Sequence, residues 1–317
     1  MPGVSFSKMK IYAHNFNPAS NSGPNKFTRQ MFGSLISRNL VTPVSNSKEA
    51  DVEFCLIQQH QEKEKPMILR LDGIYFNTAQ DYNEQNKIIL YSYNNADAVI
   101  FQSDFNKQLI EKWFGKHNNG HVIHNAPDLK AVNEANGQFW NSHFSKDVEV
   151  WSCASSWRPH KRLKENIRYF LEAADDHAIF AIAGEGATED DFSGLTVNQL
   201  KRIKYLGNLD YISLLALYKR STTFVHLSYL DHCPNVVVDA IAAGCHIVCA
   251  SSGGTKELVN RGTIIIDKDW DYTPIALYEP PPLNFSSYLE VSSKEEKEDI
   301  EYCANRYHQV FKEVMNG

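Results

Sequence analysis

Short apolar runs rich in β-branched residues alternate with longer amphipathic segments along almost all of this 317-residue chain. That alternation is the pattern of βα units, which close into parallel sheets with helices on the faces. In the first half "KIYAHNF", "DVEFCLIQQ", "PMILRLDG", "AVIFQS" and "HVIHNA" read as strands. Between them "PNKFTRQMFGSLISRNL", "AQDYNEQNKIILYSYNNA" and "DFNKQLIEKWFG" read as helices, the last closing on a glycine stop. After an Asn-rich stretch, "HNAPDLKAVNEANGQFWNSHFSKD", which reads as a linker, the alternation resumes. The second half offers strands "VEVWSCAS", "AIFAIAGE", "KYLGNL", "TFVHLS", "HIVCAS" and "TIIID", and helices "RLKENIRYFLEAA", "YISLLALYKR", "NVVVDAIAAG" and "TKELVN". A Pro-rich loop, "YEPPPLNFSSY", leads to a terminal helix, "SKEEKEDIEYCANRYHQVFKEVM", whose polar face implies that it docks on something. The length suits two domains of about 150 residues better than one. Two doubly wound domains place ligands at the carboxyl ends of their strands.

Composition excludes several classes. With 43% hydrophobic and 22% charged residues the chain is an ordinary globular sequence, and nothing approaches the roughly 20 apolar residues that span a bilayer. The start, "MPGVSFSKMKIYAHNF", lacks the apolar core of a signal peptide. The six cysteines (Cys55, Cys153, Cys233, Cys245, Cys249 and Cys303) form no CxxC pair, and several lie in apolar runs. Free thiols in a reducing cytoplasm are therefore expected. A net charge of −6 argues against a nucleic-acid surface, which needs a concentrated positive field. One local exception is "RPHKRLK", Arg158 to Lys164, which suits a small anion or is simply a solvated charged face. No HxxH, HExxH or DxD step is placed to bridge a diphosphate through a metal, so no required metal or other cofactor is expected.

The most informative stretch is "SYLDHCPNVVVDAIAAGCHIVCASSGGTKELV", Ser228 to Val259. "TFVHLS" ends, a loop carries Asp231, and a helix opens near Asn235, where free backbone N–H groups and the positive dipole end favour an anion. Asp239 lies one turn further, at i+4 from Asn235. Taken singly, each aspartate reads as a loop residue or as decoration of a helix start.

As a continuous segment, Asp231 to Val259 resembles the E-x7-E region of the retaining glycosyltransferases of family 4, with Asp in place of Glu at both positions. "AIAGEG", "YLGNLDYISLLALYKRSTTFVHLS", "VIHNAPD" and "VIFQSDFNKQLIEKWFG" resemble other parts of that family in the same order; the resemblance is strong after Val148 and weak before Pro66. It implies a GT-B architecture, two Rossmann-like domains facing across a cleft: residues 1–145 on the acceptor side, 146–285 for the nucleotide sugar, and 286–317 as a helix crossing back to the first domain. Asp231 would then meet donor-sugar hydroxyls and Asp239 the nucleotide ribose, each reach shortened by about 1.5 Å through the missing methylene. Cys233, Pro234, Asn235 and Val236 would surround the donor phosphates, backbone N–H groups serving except at Pro234. Gly184, Glu185 and Asn208 would complete the donor site. Lys161 matches the family's diphosphate-neutralising lysine. The matching arginine position falls on Ser155 or Ser156, so Arg158 or Arg162 would substitute, Arg158 being preferred because Arg162 opens a helix and is free to point to solvent.

In the first domain Gly23 lies between the first strand and a helix starting near Pro24, where the absent Cβ permits close approach to a phosphate or sugar. Arg70 and Asp72, at the end of an apolar strand, are expected on the acceptor side or as a structural pair bracing the loop. The family carries a His near the transferred sugar where this chain has Asp72, which would orient the acceptor hydroxyl or accept its proton. His14, ending the first strand, joins them, and His124 lies at the domain crossover. The expected reaction is metal-independent transfer of a sugar, with retention, from a nucleotide-diphosphate sugar to a carbohydrate, glycan or lipid-linked hydroxyl. The alternatives are a sugar-nucleotide binding protein without transferase activity and a GT-B sugar-nucleotide epimerase. An NAD dehydrogenase is disfavoured, because no strand is followed by GxGxxG with an acidic residue about 20 positions later.

Overall fold

The computed structural model describes residues 8–293 and 299–317. The opening residues 1–7 and the start of the expected terminal helix, residues 294–298, lie outside the described residues. Contacts divide the chain into two units.

The first unit runs from the start of the described chain to Phe76, continues over Gln80–Asn125, and takes in the last helix. It contains β1 (Met9–His14), α1 (Gly23–Ser37), β2 (Val41–Pro43), β3 (Val52–Leu56), β4 (Met67–Leu71), α2 (Tyr82–Asn95), β5 (Ala98–Phe101), α3 (Asp104–Phe114) and β6 (Gly120–Val122). All six strands are parallel, in the order β2-β1-β3-β4-β5-β6. β3, β4 and β5 are buried throughout, as expected of central parallel strands covered on both faces. Helix signals are local and strong: the Ser103 side chain accepts from the Asn106 N–H to start α3, and Gly115, at φ +86°, follows its end.

The second unit comprises Asn77–Ala79 and the chain from Ala126 through the second sheet. Its elements are α4 (Leu129–Glu134), β7 (Val150–Ala154), α5 (Leu163–Ala173), β8 (Ile179–Ala183), α6 (Val197–Lys201), β9 (Ile203–Gly207), α7 (Tyr211–Arg220), β10 (Thr223–His226), α8 (Asn235–Ala242), β11 (His246–Ala250), β12 (Arg261–Ile265) and β13 (Tyr288–Ser292). The order is β13-β12-β11-β10-β7-β8-β9, parallel except for β13. Strand order reverses between β7 and β10, the point at which doubly wound sheets open a crevice at their carboxyl ends.

Three expectations need correction. The Asn-rich stretch after β6 is not a linker: Val132, Trp140 and Phe144 bury their side chains in the second unit's core, and Trp140 Nε1 donates to Ser213 O at 3.1 Å. The division therefore falls at Asn125/Ala126, about one helix earlier than residue 145. Residues 288–292, assigned to the C-terminal tail, instead form β13, antiparallel to β12, as an edge strand mostly open to solvent, so its alternation carries no apolar signal. "TKELVN" makes only a 3₁₀ turn, Thr255–Leu258.

The last helix, α9 (Ile300–Asn316), returns to the first unit. Tyr307 and Phe311 pack against Phe54, and Tyr307 also against Phe27, so the apolar stripe of a helix too polar to stand alone is covered by aromatic rings.

Candidate active site

Lys161 and Asp231 meet at the carboxyl ends of β7 and β10. Lys161 closes a 3₁₀ turn, Pro159–Lys161, and Asp231 follows β10 by five residues. Lys161 Nζ donates to Asp231 Oδ2 at 2.5 Å, and His226 Nε2 stands 3.0 Å from the same oxygen. The other carboxylate oxygen accepts the His232 backbone N–H at 3.0 Å. With 13% and 15% side-chain exposure the pair is largely withdrawn from water. Burial pushes the Asp231 carboxyl up, but the Lys161 ammonium and the His226 ring outweigh it and hold the group well below the usual carboxylate range. Burial lowers His226, against the pull of Asp231, so the ring is neutral and places its proton on Nε2. Burial likewise lowers His232 to about 4 and, with the neighbouring Lys161 charge, His160 to about 3. The site thus concentrates one cation and one anion among three neutral imidazoles.

The Asp231 loop is held by close backbone packing. Leu230 adopts φ +54°, and Gly254 N donates to Asp231 O at 2.7 Å. Gly253, at φ +81°, lies so near that an added Cβ would stand 2.4 Å from Asp231 O. This explains the Gly-Gly step after β11: it is the floor under the loop. Cys233 and Pro234 are buried, while Asn235 and Val236 are half-buried at the start of α8, whose first turn has no side-chain cap. Asp239 is 4% exposed, and Tyr211 donates its hydroxyl to Asp239 Oδ1 at 3.3 Å.

At the end of β8, Gly184 has φ +103°, and an added Cβ would lie 1.8 Å from Ser155 O. The glycine is required by this chain-on-chain approach. Trp157 N donates to Glu185 O at 2.7 Å; the Glu185 and Asn208 side chains are exposed. Arg158 is exposed beside a hollow of about 420 Å³ shared with Lys164, Asp190 and Asp191. Arg162 does not point to solvent. It is buried, and its guanidinium forks onto the equally buried Asp267 through Nη1 at 2.7 Å and Nη2 at 3.3 Å, which removes it as a phosphate ligand.

In the first unit Arg70 is 1% exposed, so it is not a surface contact for an acceptor. Its Nε donates to Tyr307 Oη at 3.0 Å, Nη2 to Asn125 Oδ1 at 2.9 Å, and Nη1 to Asp72, while the guanidinium carbon lies 4.5 Å from the Phe27 ring centre. Arg70 is taken up by a brace: its guanidinium ties β4 to α9 and to the crossover, with Asp72 beside it. Asp72 keeps partial exposure. His14 is buried at the end of β1, with Nε2 2.7 Å from Glu53 Oε2. Glu53, fully buried on β3, also accepts the Glu64 and Lys65 N–H groups at 2.8 and 3.0 Å. Gly23 opens α1 just before Pro24, with no side-chain cap at Ser22.

His226, Glu53, Tyr211 and Asp267 escaped the sequence reading. His226 carried one usable signal, a histidine ending a buried strand five residues before a loop aspartate; Glu53 carried another, a carboxylate inside an otherwise apolar strand. Among the described residues no group of three His, Cys, Asp or Glu side chains is placed to hold a metal ion, and no helix is long and apolar enough to cross a membrane.

Residues 138–274, which include Lys161, Asp231 and Asp239, match the family model described as glycosyl transferases group 1. No curated protein sequence matches the chain. Among solved structures it is similar to HepE from Anabaena in complex with UDP-glucose, at 16% identity over 81% of this chain and 85% of that one, with a TM-score of 0.62. It is also similar to sucrose-phosphate synthase from Thermosynechococcus elongatus, at 12% identity over 97% and 90% of the two chains, TM-score 0.63. The catalytic domain of starch synthase IV from Arabidopsis thaliana, bound to ADP and acarbose, aligns at 12% identity over 93% and 79%, TM-score 0.61. At these identities the likeness is one of fold, and the fold is GT-B.

Proposed function

We propose that this glycosyltransferase of GT-B fold takes its sugar from a nucleotide-diphosphate donor bound on the second unit, and passes it to an acceptor hydroxyl with retention and without a metal. The observation that carries this reading is the Lys161–Asp231 pair at the β7/β10 switch point, next to the start of α8 and inside the segment matching the group 1 model. As the nucleoside diphosphate leaves, negative charge grows on its β-phosphate. Lys161, held by Asp231, is a charge fixed before that charge develops, and Arg158 and the positive end of α8, around Cys233, Asn235 and Val236, add to it. Asp231 holds a sugar hydroxyl, and Asp239 with Tyr211 the ribose. Gly184, Glu185 and Asn208, at the ends of β8 and β9, border the nucleotide. On the first unit His14 and Asp72 serve the acceptor. Six buried thiols support a reducing, cytoplasmic setting.

The test is a thermal-shift panel of nucleoside diphosphates and their sugars, with UDP-glucose included because HepE was captured with it. Binding to the folded state raises the melting temperature by mass action. A hit should be followed by EDTA-insensitive release of nucleoside diphosphate, lost in Lys161→Ala, and by NMR of the product anomer. A panel with no shift rejects the donor, and an inverted product rejects retention. A second reading, a sugar-nucleotide binder without turnover, is favoured by the serines at 155 and 156 where the family has arginine. It predicts a shift with no release on any acceptor.

A further inference from the structure

Arg162 occupies a backbone conformation that disfavours an L-residue relative to glycine. Its φ of +53° and ψ of +49° place it in the left-handed region between the Lys161 turn and α5. Glycine would serve that backbone better, so the side chain must return something. Its guanidinium bridges the loop before Asp231 and the chain after β12: Nη1 and Nη2 fork onto Asp267, Nη1 also reaches Leu227 O at 3.4 Å, and Nη2 donates to Pro281 O at 2.7 Å. The guanidinium carbon lies 4.8 Å from the centre of the Tyr229 ring. Asp267 in turn accepts from Ser252 Oγ at 2.6 Å and from the Lys268 N–H at 2.8 Å, and its own N–H donates to Ser251 Oγ. One buried ion pair therefore gathers the loop carrying Lys161, the loop carrying Asp231, the Ser251–Gly254 floor beneath Asp231, and the chain after β12.

Neutral hydrogen bonds reinforce the same junction. Tyr229 N donates to His160 O at 2.8 Å; Asn166 donates to the carbonyls of Lys161 and Arg162 and accepts the Leu227 N–H. Lys161 is thus held on its backbone side by Arg162 and Asn166, and at its tip by Asp231.

We propose that Arg162 and Asp267 are positioning residues for the transfer reaction: without touching the donor, they fix the Lys161 ammonium against the Asp231 carboxylate. This rests on the donor site proposed above. The guanidinium fork matters because a planar bidentate contact fixes direction as well as charge, which a lysine ammonium does not. A misplacement of about 1 Å at such a site lowers turnover roughly 100-fold.

The test compares wild type with Arg162→Gly/Asp267→Asn, which suits the left-handed backbone and leaves no buried charge, and with Arg162→Lys as the milder change. Two readouts are needed: donor kinetics, and ¹⁵N NMR of the His226 ring, whose Nε2–H faces Asp231. The expected result for the double variant is a kcat lowered roughly 100-fold, a donor KM changed far less, a melting curve that still shows a folded protein, and a shifted or broadened His226 Nε2 signal. Arg162→Lys should recover part of the kcat, and it carries the test if the double variant does not fold. Wild-type kcat with an unchanged His226 signal in a folded variant overturns the proposal, as does a loss of activity that only follows the folded fraction. If the wild type binds no sugar nucleotide, the His226 signal still reports the latch: a shift there keeps the positioning and rejects the donor, whereas no shift rejects the positioning.

Discussion

Replacing Lys161 by methionine removes the charge and keeps most of the side-chain volume, leaving Asp231 with His226 and one backbone N–H. Breaking a buried ion pair by removing one partner costs about 3–5 kcal/mol when the remaining charge is fully buried. Here 15% exposure of Asp231 and its two remaining hydrogen bonds soften the effect, so we expect a loss of about 2–3 kcal/mol at neutral pH. For a domain of this size that is a fall in melting temperature of roughly 5–10 °C. The pH dependence is the sharper part. In the wild type the Asp231 carboxyl is depressed, so its contribution is present above the unfolded value of 3.8 and is lost only as pH falls through the lower folded value. Without the ammonium, burial is the leading influence on Asp231, its pKa rises, and the variant recovers by taking up a proton as pH falls. The difference between variant and wild type should therefore shrink between pH 7.5 and 4.5, and the rise of the His160, His226 and His232 pKa values once the Lys161 charge is gone works in the same direction. Urea denaturation at the two pH values measures it. A loss below about 1 kcal/mol at pH 7.5, or an equal loss at both pH values, would show that the pair is not what holds Asp231 ionised.

Gly184→Ala should prevent stable folding, since the Cβ must displace the Ser155 backbone, whereas Gly194→Ala, at φ +79° with nothing within 4 Å, should cost only about 1 kcal/mol; denaturation of both separates packing from conformational strain. His160, lowered from 6.5 to about 3, binds its proton in the unfolded state first, so its contribution is present above pH 6.5 and falls as pH drops toward 3. At pH 5 it should have removed about 2 kcal/mol, 1.5 pH units at about 1.36 kcal/mol each; His160→Gln should flatten the stability–pH curve over that range, and an unchanged curve refutes the assignment. On the acceptor side, Glu53→Gln should keep the hydrogen bond to His14 but lose its charge, lowering sugar transfer about tenfold or more while slow donor hydrolysis persists. Equal loss of transfer and hydrolysis would make the His14–Glu53 pair structural only.

What was legible in the sequence is what is encoded over a few residues. Apolar period, Ser103 before α3 and Gly115 after it are local, and so is the Cys-Pro-Asn step that opens α8. β13 and the segment around Trp140 were misread because each draws its structure from a distant partner: β12 across a long irregular loop, and the α7 backbone at Ser213. The same holds for side chains. Arg162 and Asp267 lie 105 residues apart and His14 and Glu53 39, so no spacing rule connects them. Arg70 shows the converse: a charged residue at a strand end looks available in sequence, yet three side chains, two of them distant in sequence, occupy its nitrogens.

Asp231, one of the two aspartates standing where the resembled E-x7-E pattern has glutamate, has a countable set of partners. A carboxylate offers about four acceptor sites and an ammonium three donors. At Asp231 three acceptor sites are engaged, by Lys161, His226 and the His232 N–H, which leaves about one for a sugar hydroxyl. At Lys161 one donor points to Asp231, which leaves two for phosphoryl oxygens. The ion pair therefore does not quench the lysine; it aims it. A donor entering the site would accept the two free N–H bonds without separating the pair, so its phosphates would not have to overcome the buried attraction before gaining their own. On that account Asp231→Asn should weaken binding of the nucleotide sugar more than of the bare nucleoside diphosphate, because only the former uses the remaining acceptor. Calorimetric titration with each ligand decides the matter, and equal losses for both would place Asp231 behind Lys161 alone, with no contact to the sugar.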